Sequence, residues 1–219
     1  MSVPGASSER WRVVLKLVLI GAGGHGVSVA DCAAESGQWR EICFVDDRFP
    51  QIDRVLDWPV IGNIESISND SDVFVAIGDN PTRLTLVERL MRSGLHLPSI
   101  CHPRAIISSR ARVGSGSIAM AGAIVNAATT IGPAVILNTG SSVDHNCVVE
   151  DGSHLSPGVT VGGGVTIGRG SWIGIGASVI HGVTVGKNVM IAAGSVVIED
   201  IPDDTRVAGV PARPMQSRP

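Results

Sequence analysis

The chain has 219 residues, with 17 Lys and Arg against 20 Asp and Glu, a formal net charge of −3. That balance gives no electrostatic case for nucleic acid or an anionic membrane surface, and the length allows one or two domains. Its four cysteines, Cys32, Cys43, Cys101 and Cys147, make no CxxC pair, so a reducing, cytoplasmic setting is expected rather than a disulfide framework.

Residues 1–12 are polar and contain Glu9. They lack the apolar stretch and cleavage site of a signal peptide and read as a flexible N-terminal segment. Val13–Ile20 is a buried-strand run, too short to span a bilayer and interrupted by Lys16. It meets Gly21-Ala22-Gly23-Gly24-His25-Gly26, after which Val27–Glu35 reads as a helix ended at Gly37. A second strand over Glu41–Val45 leaves Asp46 and Asp47 at its carboxyl end. Pro59–Gly62 is a short third, and Asp72–Ile77 a fourth, followed by Gly78-Asp79-Asn80. Pro81 opens a second helix in its first turn, where the missing N–H costs nothing. Leu84, Val87, Leu90 and Met91 form its apolar stripe, and Gly94 ends it. Leu97–Ile100 is expected as the last strand. Strands alternating with helices predict a small Rossmann-like parallel α/β domain over residues 13–100.

Gly21-x-Gly23-x-x-Gly26, with Asp46 about twenty residues further on, matches the letters of a dinucleotide fingerprint. About ninety residues make only one mononucleotide-sized half of that fold, which argues against a dehydrogenase. The physics still suits a smaller nucleotide. Glycines let backbone N–H groups approach phosphate at a helix N-terminus, and strand ends at Ile20, Val45 and Ile77 open on one crevice. The candidate substrate residues are Gly23, Gly24, His25, Asp46, Asp47 and Gly78. The plainer reading is a tight turn with solvated aspartates.

From Ile107 every sixth residue to Val197 is apolar, sixteen in succession without a slip. Two residues before each stands a small residue or Val, from Ala105 to Ser195. A period of six fits neither a lone helix nor a flat strand; it is the hexapeptide pattern of a parallel β-helix. Each hexad makes one short strand and one corner, and three make a coil, so residues eighteen apart stack ~4.8 Å from one another. Each coil buries about three aliphatics, each contributing roughly 1.5–3 kcal/mol. The scarcity of rings (three Phe and no Tyr) fits so narrow a core. The helix is expected over residues 101–201, with residues 202–219 as a closing segment.

Within it, Asn138-Thr-Gly-Ser-Ser-Val-Asp-His-Asn-Cys147 places His145 two residues after the inward Val143, at or near a corner and pointing out of the prism. An exposed imidazole, with an unperturbed pKa of ~6.5, suits a general base. Taken alone, a surface histidine is more often bland. A zinc site is not expected. His145 and His181 lie thirty-six residues apart, roughly 10 Å along one column, against zinc–nitrogen bonds of ~2.0–2.1 Å.

These hexads, with the tail Val207-Ala-Gly-Val-Pro-Ala-Arg213, resemble the left-handed β-helix acyltransferases. Asn-Thr-x-x-x-Val-x-His-x-Cys followed by Ser153-His154-Leu155-Ser156-Pro157-Gly158 resembles the sialic-acid O-acetyltransferase and nucleotide-aminosugar N-acetyltransferase family. Gly21-Ala-Gly-Gly-His-Gly26, Ala76-Ile-Gly-Asp-Asn80 and His102-Pro103 extend the likeness over nearly the whole chain.

The resemblance implies the handedness, a homotrimer, and acetyl-CoA as co-substrate without a metal. It implies that His145 takes the proton from the acceptor, that His154 contacts the thioester end of acetyl-CoA, and that Ile175 and Ala193 touch CoA in a groove between prisms. Backbone N–H groups near Gly163 are expected at the oxyanion. The first domain would hold a nucleotide-amino-sugar. The family commonly has an acidic residue after the catalytic histidine; here it is Asn146, which orients a ring but cannot balance an imidazolium by charge. The expected activity is acetyl transfer to the amine of a nucleotide-linked 4-amino-4,6-dideoxy sugar. The alternatives are O-acetylation of sialic acid or a related sugar, and a non-catalytic nucleotide-sugar-binding protein.

Overall fold

The computed structural model describes residues 16–215; the expected N-terminal segment and Val13–Leu15 lie outside them. Strand β1 (Lys16–Ile20) is flanked in parallel by β2 (Glu41–Val45) and by the strand Asp72–Val75. Both faces of this three-stranded sheet are covered, so its strands are nearly continuous apolar runs. Leu17, Leu19, Phe44 and Phe74 face helix α1 (Gly24–Ser36), packing with Val29, Ala30 and Ala33. Val18, Ile20, Val45 and Val75 face helix α2 (Asn80–Arg92), packing with Leu84, Val87 and Leu90. Gly37, at φ 65°, caps α1 with its N–H on Ala34 O, and the Asp79 side chain caps α2 by accepting from Thr82 N–H at 3.0 Å. The helix starts earlier than its sequence indicates, at Gly24 rather than Val27. A methyl on Gly26 would lie 2.2 Å from Gly21 O, so only glycine lets the helix begin that close to the strand end.

Two expected strands differ. Trp58–Pro59 forms a small antiparallel hairpin with Arg54–Val55, and Val60 contributes only one bridge to Phe44. The Leu97–Ile100 run does not join the α/β sheet. Instead Ile100–Cys101 pairs with Ile118–Ala119 and opens the solenoid. An α/β edge and an unpaired first coil compete for that segment, and the coil offers a strand in register.

The solenoid has three parallel sheets of two-residue strands at hexad spacing. Pairs such as Ile124↔Ser142 and Thr130↔Val148 stack eighteen residues apart. The sixth-residue aliphatics and the apolar residues two before them form one core cluster, with Ile107 and Val113 only partly buried at the first coil; the Ser and Thr at the other such positions, from Ser117 to Ser195, are buried beside it. The small residues also bond the walls. Ser117, Ser153 and Ser171 donate to the carbonyl fifteen residues on, at 2.7, 3.0 and 2.7 Å, and Ser117 and Ser171 accept the amide eighteen on at 2.9 Å. Corners fall in the left-handed region every sixth residue, chiefly at glycine but also at Asn146 (φ 57°). The last coil is shorter, pairing Met190 with Arg206. The chain then doubles back, Ala208 against Arg213 antiparallel, and buries Ala212 against the core end. The tail thereby covers an edge that would otherwise be open.

The two parts are joined along both helices. Ile100, Ile118 and Ile136 pack in one core with α1. Helix α2 lies on the corner column of Gly116, Ala134, Gly152 and Gly170, where Arg83, fully buried, donates to Ala134 O (2.8 Å) and Gly152 O (2.8 Å). Asn80 Nδ2 donates to Gly170 O at 3.0 Å, and Arg169 pairs with Glu88 at 2.6 Å.

Candidate active site

At the carboxyl end of the sheet lies a cleft of about 750 Å³, bounded by Gly21, Asp46, Asp47, Ile77, Thr82 and Arg89 among others. The six residues expected to bind substrate divide here. Asp46 and Asp47 line the cleft, whereas Gly23, Gly24, His25 and Gly78 do not. Asp46 is already engaged. Its oxygens accept Ala22 N–H (2.8 Å) and Arg48 N–H, Nε and Nη2 (3.0, 2.8 and 2.9 Å), which fastens the glycine loop and, through Arg48 first, holds the carboxyl far below its ordinary range. Asp47 is exposed. Methyls on Gly23 and Gly24 would meet nothing within 4 Å. Packing therefore does not require glycine at these two positions, and the first turn of α1 presents open backbone.

Gly78 lies against His25, and His25 leads into the solenoid. Its ring centroid is 6.3 Å from that of His154, and Trp172 stacks on His154 at 5.6 Å with planes 5° apart. His154 and Trp172 continue the outward column of Ile118 and Ile136 past the edge of the α/β part. His154 is 8% exposed, and its Nε2 is 3.3 Å from Asn138 Nδ2. Burial, and then the Arg83 charge, push His25 down to about 4 and His154 down to about 3, His25 adding to the latter. Both rings are neutral at pH 7. Trp172 Nε1–H is held by Ser156 Oγ at 2.8 Å. Its exposed flank lines an apolar groove of about 250 Å³ with Ser156, Gly174, Ile175, Met190 and Ala193. The two positions assigned to CoA, Ile175 and Ala193, thus share one groove.

His145 stands at a corner, its side chain 61% exposed. It lies over Gly163, where a methyl would come 2.7 Å from Cε1 and 2.8 Å from Nε2. Asp144 Oδ1 accepts the His145 backbone N–H (2.8 Å) and Asn126 Nδ2–H (3.0 Å), while Oδ2 is 4.0 Å from His145 Nε2. Those bonds hold the Asp144 carboxyl below its usual range, the His145 amide foremost. Asn146 Nδ2 is 2.9 Å from His145 Nδ1. An amide's oxygen and nitrogen are near-isosteric. With Oδ1 turned to the ring it accepts Nδ1–H, which leaves Nε2 with the free lone pair a base needs. The Gly163 N–H makes no hydrogen bond among the described residues.

The PglD N-terminal domain family matches residues 16–90, and the bacterial transferase hexapeptide family (six repeats) matches residues 164–199. Two solved structures match nearly end to end. The acetyltransferase domain of PglB from Neisseria gonorrhoeae, also solved with acetyl coenzyme A, is 42% identical over 92% of this chain and 100% of that one, with a TM-score of 0.89. Perosamine N-acetyltransferase from Caulobacter crescentus, solved with CoA and GDP-perosamine, is 36% identical over 92% and 97%, with a TM-score of 0.84. The chain belongs to the nucleotide-aminosugar N-acetyltransferase family. The solenoid is accordingly the left-handed β-helix of these enzymes. UDP-N-acetylbacillosamine N-acetyltransferase of Bacillus subtilis is 34% identical over 110 residues, and the match spans about half of each protein, 48% of this chain and 51% of that one.

Two features of this family member are not apparent from local sequence. Arg83 sits in the apolar stripe of α2 but is buried, with all its partners oxygen atoms: Ile77 O, Gly78 O, Ala134 O, Gly152 O and Asn80 Oδ1. Burial brings it down to about 10, so it remains a cation at neutral pH. Trp172, which the hexad count places on the outside of the prism, owes its position over His154 to the eighteen-residue column that runs from Ile136 through His154. Among the described residues no group of three or more His, Cys, Asp or Glu could hold a metal ion, and no helix is long and apolar enough to cross a membrane.

Proposed function

We propose that the chain transfers an acetyl group from acetyl-CoA to the amine of a nucleotide-linked 4-amino-4,6-dideoxy sugar, with His145 as general base. The carrying observation is the exposed His145 ring, seated over Gly163 with Asn146 at Nδ1, Asp144 Oδ2 4.0 Å from Nε2, and no hydrogen bond on Nε2 among the described residues. The neutral amine attacks the thioester carbonyl while Nε2 takes its proton. The C–S bond then breaks and CoA leaves as thiolate. The Gly163 N–H, without a hydrogen bond among the described residues, would donate to the intermediate's oxyanion, a type of contact whose loss costs about 10²–10³ in rate. Asn146 serves with Oδ1 toward the ring, fixing the tautomer.

Residues 13–100 are read as the nucleotide-sugar part, 101–201 as the transferase part and 202–219 as its closure. Gly23, Gly24, His25 and Gly78 would meet phosphate and sugar, and Asp46 and Asp47 the nucleoside in the cleft. His154, Gly163, Ile175 and Ala193 would meet acetyl-CoA. Exposed Trp172 and Ile175 support a homotrimer in which a neighbouring prism completes the groove. The unpaired cysteines support a reducing, cytoplasmic setting.

The test is thiol release from acetyl-CoA with UDP-, GDP- and dTDP-4-amino-4,6-dideoxyhexoses and free sialic acid. One nucleotide-sugar should give a signal, and His145→Ala should lower it by about 10²–10⁴. Turnover of sialic acid alone would move the reading to O-acetylation. Binding without thiol release would make the chain a nucleotide-sugar-binding protein, and an undiminished rate in His145→Ala would end the assignment of the base.

A further inference from the structure

Three buried side-chain polar atoms lack a partner among the described residues, and two of them, His25 Nε2 and His154 Nδ1, are on neighbouring rings. A polar atom enclosed without a bond is costly. Two on adjacent rings, from different parts of the fold, call for one explanation.

The surroundings fix the His154 tautomer. Asn138 Oδ1 accepts Thr139 N–H at 2.8 Å, which turns the amide nitrogen toward His154 Nε2 at 3.3 Å. An amide nitrogen only donates, so Nε2 accepts and Nδ1 carries the ring proton. Nδ1–H is therefore a buried donor in need of an acceptor. One face of the ring is backed by Trp172, itself held by Ser156.

His25 can supply that acceptor. It sits in the first turn of α1 beside the open Gly23 and Gly24 backbone, and its Nδ1, unlike Nε2, is not sealed off. An anionic oxygen accepting from Nδ1–H leaves Nε2 as a bare lone pair. An in-line N–H···N bond of ~2.9 Å sets imidazole centroids roughly 5 Å apart. They stand at 6.3 Å with their planes 45° apart, so the rings must approach by about 1 Å and turn the two nitrogens toward each other for the bond to form. Both rings are neutral at pH 7, as such a bond requires, because burial and the Arg83 charge disfavour their cations.

We propose that His25 is a positioning residue for His154: an anionic oxygen bound at His25 Nδ1 commits Nε2 to accept the His154 Nδ1–H, so that the nucleotide-sugar loop and the acetyl-CoA groove bind cooperatively. The inference rests on the functional reading above for the identity of the two ligands. Coupling of this kind is reciprocal. One neutral hydrogen bond corresponds to about a five-fold change in affinity.

The experiment measures CoA affinity by calorimetry with and without saturating UDP, GDP or dTDP, and reads imidazole tautomers by ¹⁵N NMR. The expected wild-type result is CoA binding about five-fold tighter with the nucleotide that binds. His25→Phe should abolish that gain, and His25→Gln, whose amide oxygen can accept, should keep most of it. In a His154→Phe background His25→Phe should change nothing further. Equal loss in the Gln and Phe variants, or a gain that survives both, would overturn the proposal. The tautomers are read on the ligand-free protein, so failure of every nucleotide to bind would count against the functional reading alone. His154 protonated on Nδ1 supports the relay even then, and a proton on Nε2 refutes it.

Discussion

Gly163→Ala isolates the placement of the base from the fold. The glycine is not in the left-handed region, so alanine fits its backbone, and the three nearest atoms to an added Cβ all belong to His145, at 2.7, 2.8 and 3.2 Å. Ordinary contact begins at 3.4 Å, so the ring must retreat by about 0.7 Å, close to the ~1 Å misplacement that can cost on the order of 10² in rate. That is about 2.7 kcal/mol of transition-state stabilisation. The ring is exposed and moves without disturbing the core, so stability should change by no more than about 0.5 kcal/mol. Thiol release gives the rate, and thermal melting followed by circular dichroism gives the stability. In a His145→Ala background the methyl should have no further effect, because nothing remains to displace. A Gly163→Ala rate within about three-fold of wild type, or the same proportional loss without the His145 ring, would refute the reasoning; the second outcome would place the effect on CoA or the oxyanion instead.

Asn146→Asp should give an equal or higher maximal rate, since a carboxylate can only accept and so commits Nδ1 to carry the proton. A large loss of rate would mean the amide N–H has its own task. Arg83→Met strands five neutral oxygen acceptors at the joint of α2 and the solenoid and should cost on the order of 3 kcal/mol in urea unfolding, a loss below about 1 kcal/mol contradicting this account of the joint. Ser171→Ala should cost about 2 kcal/mol by orphaning Gly186 O and Val189 N–H, and an unchanged midpoint would remove the wall-bonding role. His25 and His154 are depressed to about 4 and about 3. Below about pH 6.5 the unfolded chain therefore takes up protons that the folded one does not. Melting temperature should be flat above that pH and fall as pH drops toward 4, less steeply in His154→Phe, whereas a flat profile between pH 7 and 5 would show that these rings are not held neutral.

The solenoid was legible because each hexad restates one constraint. An inward aliphatic, a small residue two before it and a corner recur without interruption, so the period survives any local irregularity. His145 was legible by the same count, since its place relative to Val143 puts it outside the prism. The α/β elements were legible in type but not in their edges. Gly24–Gly26 look like loop, yet the helix needs them because Gly21 O lies where a side chain would go. The apolar run before Cys101 could serve either sheet, and only the presence of Ile118–Ala119 as a partner decides it.

The pairing of sites belongs to the tertiary structure alone. Nothing in the sequence around Arg83 marks it for burial; it is buried where the carbonyls of Ala134 and Gly152 converge on it from two coils. Asp46 reads as a candidate substrate residue at a strand end; only the structure shows that it also fastens the glycine loop through Ala22 and Arg48 while lining the cleft. His25 and His154, 129 positions apart in the sequence, become neighbours only when α1 docks on the outward isoleucines of the first coils. Periodicity is a local property that the chain carries in its own order. Which buried polar groups meet depends on how two separately built parts are pressed together, and no spacing within either part records that.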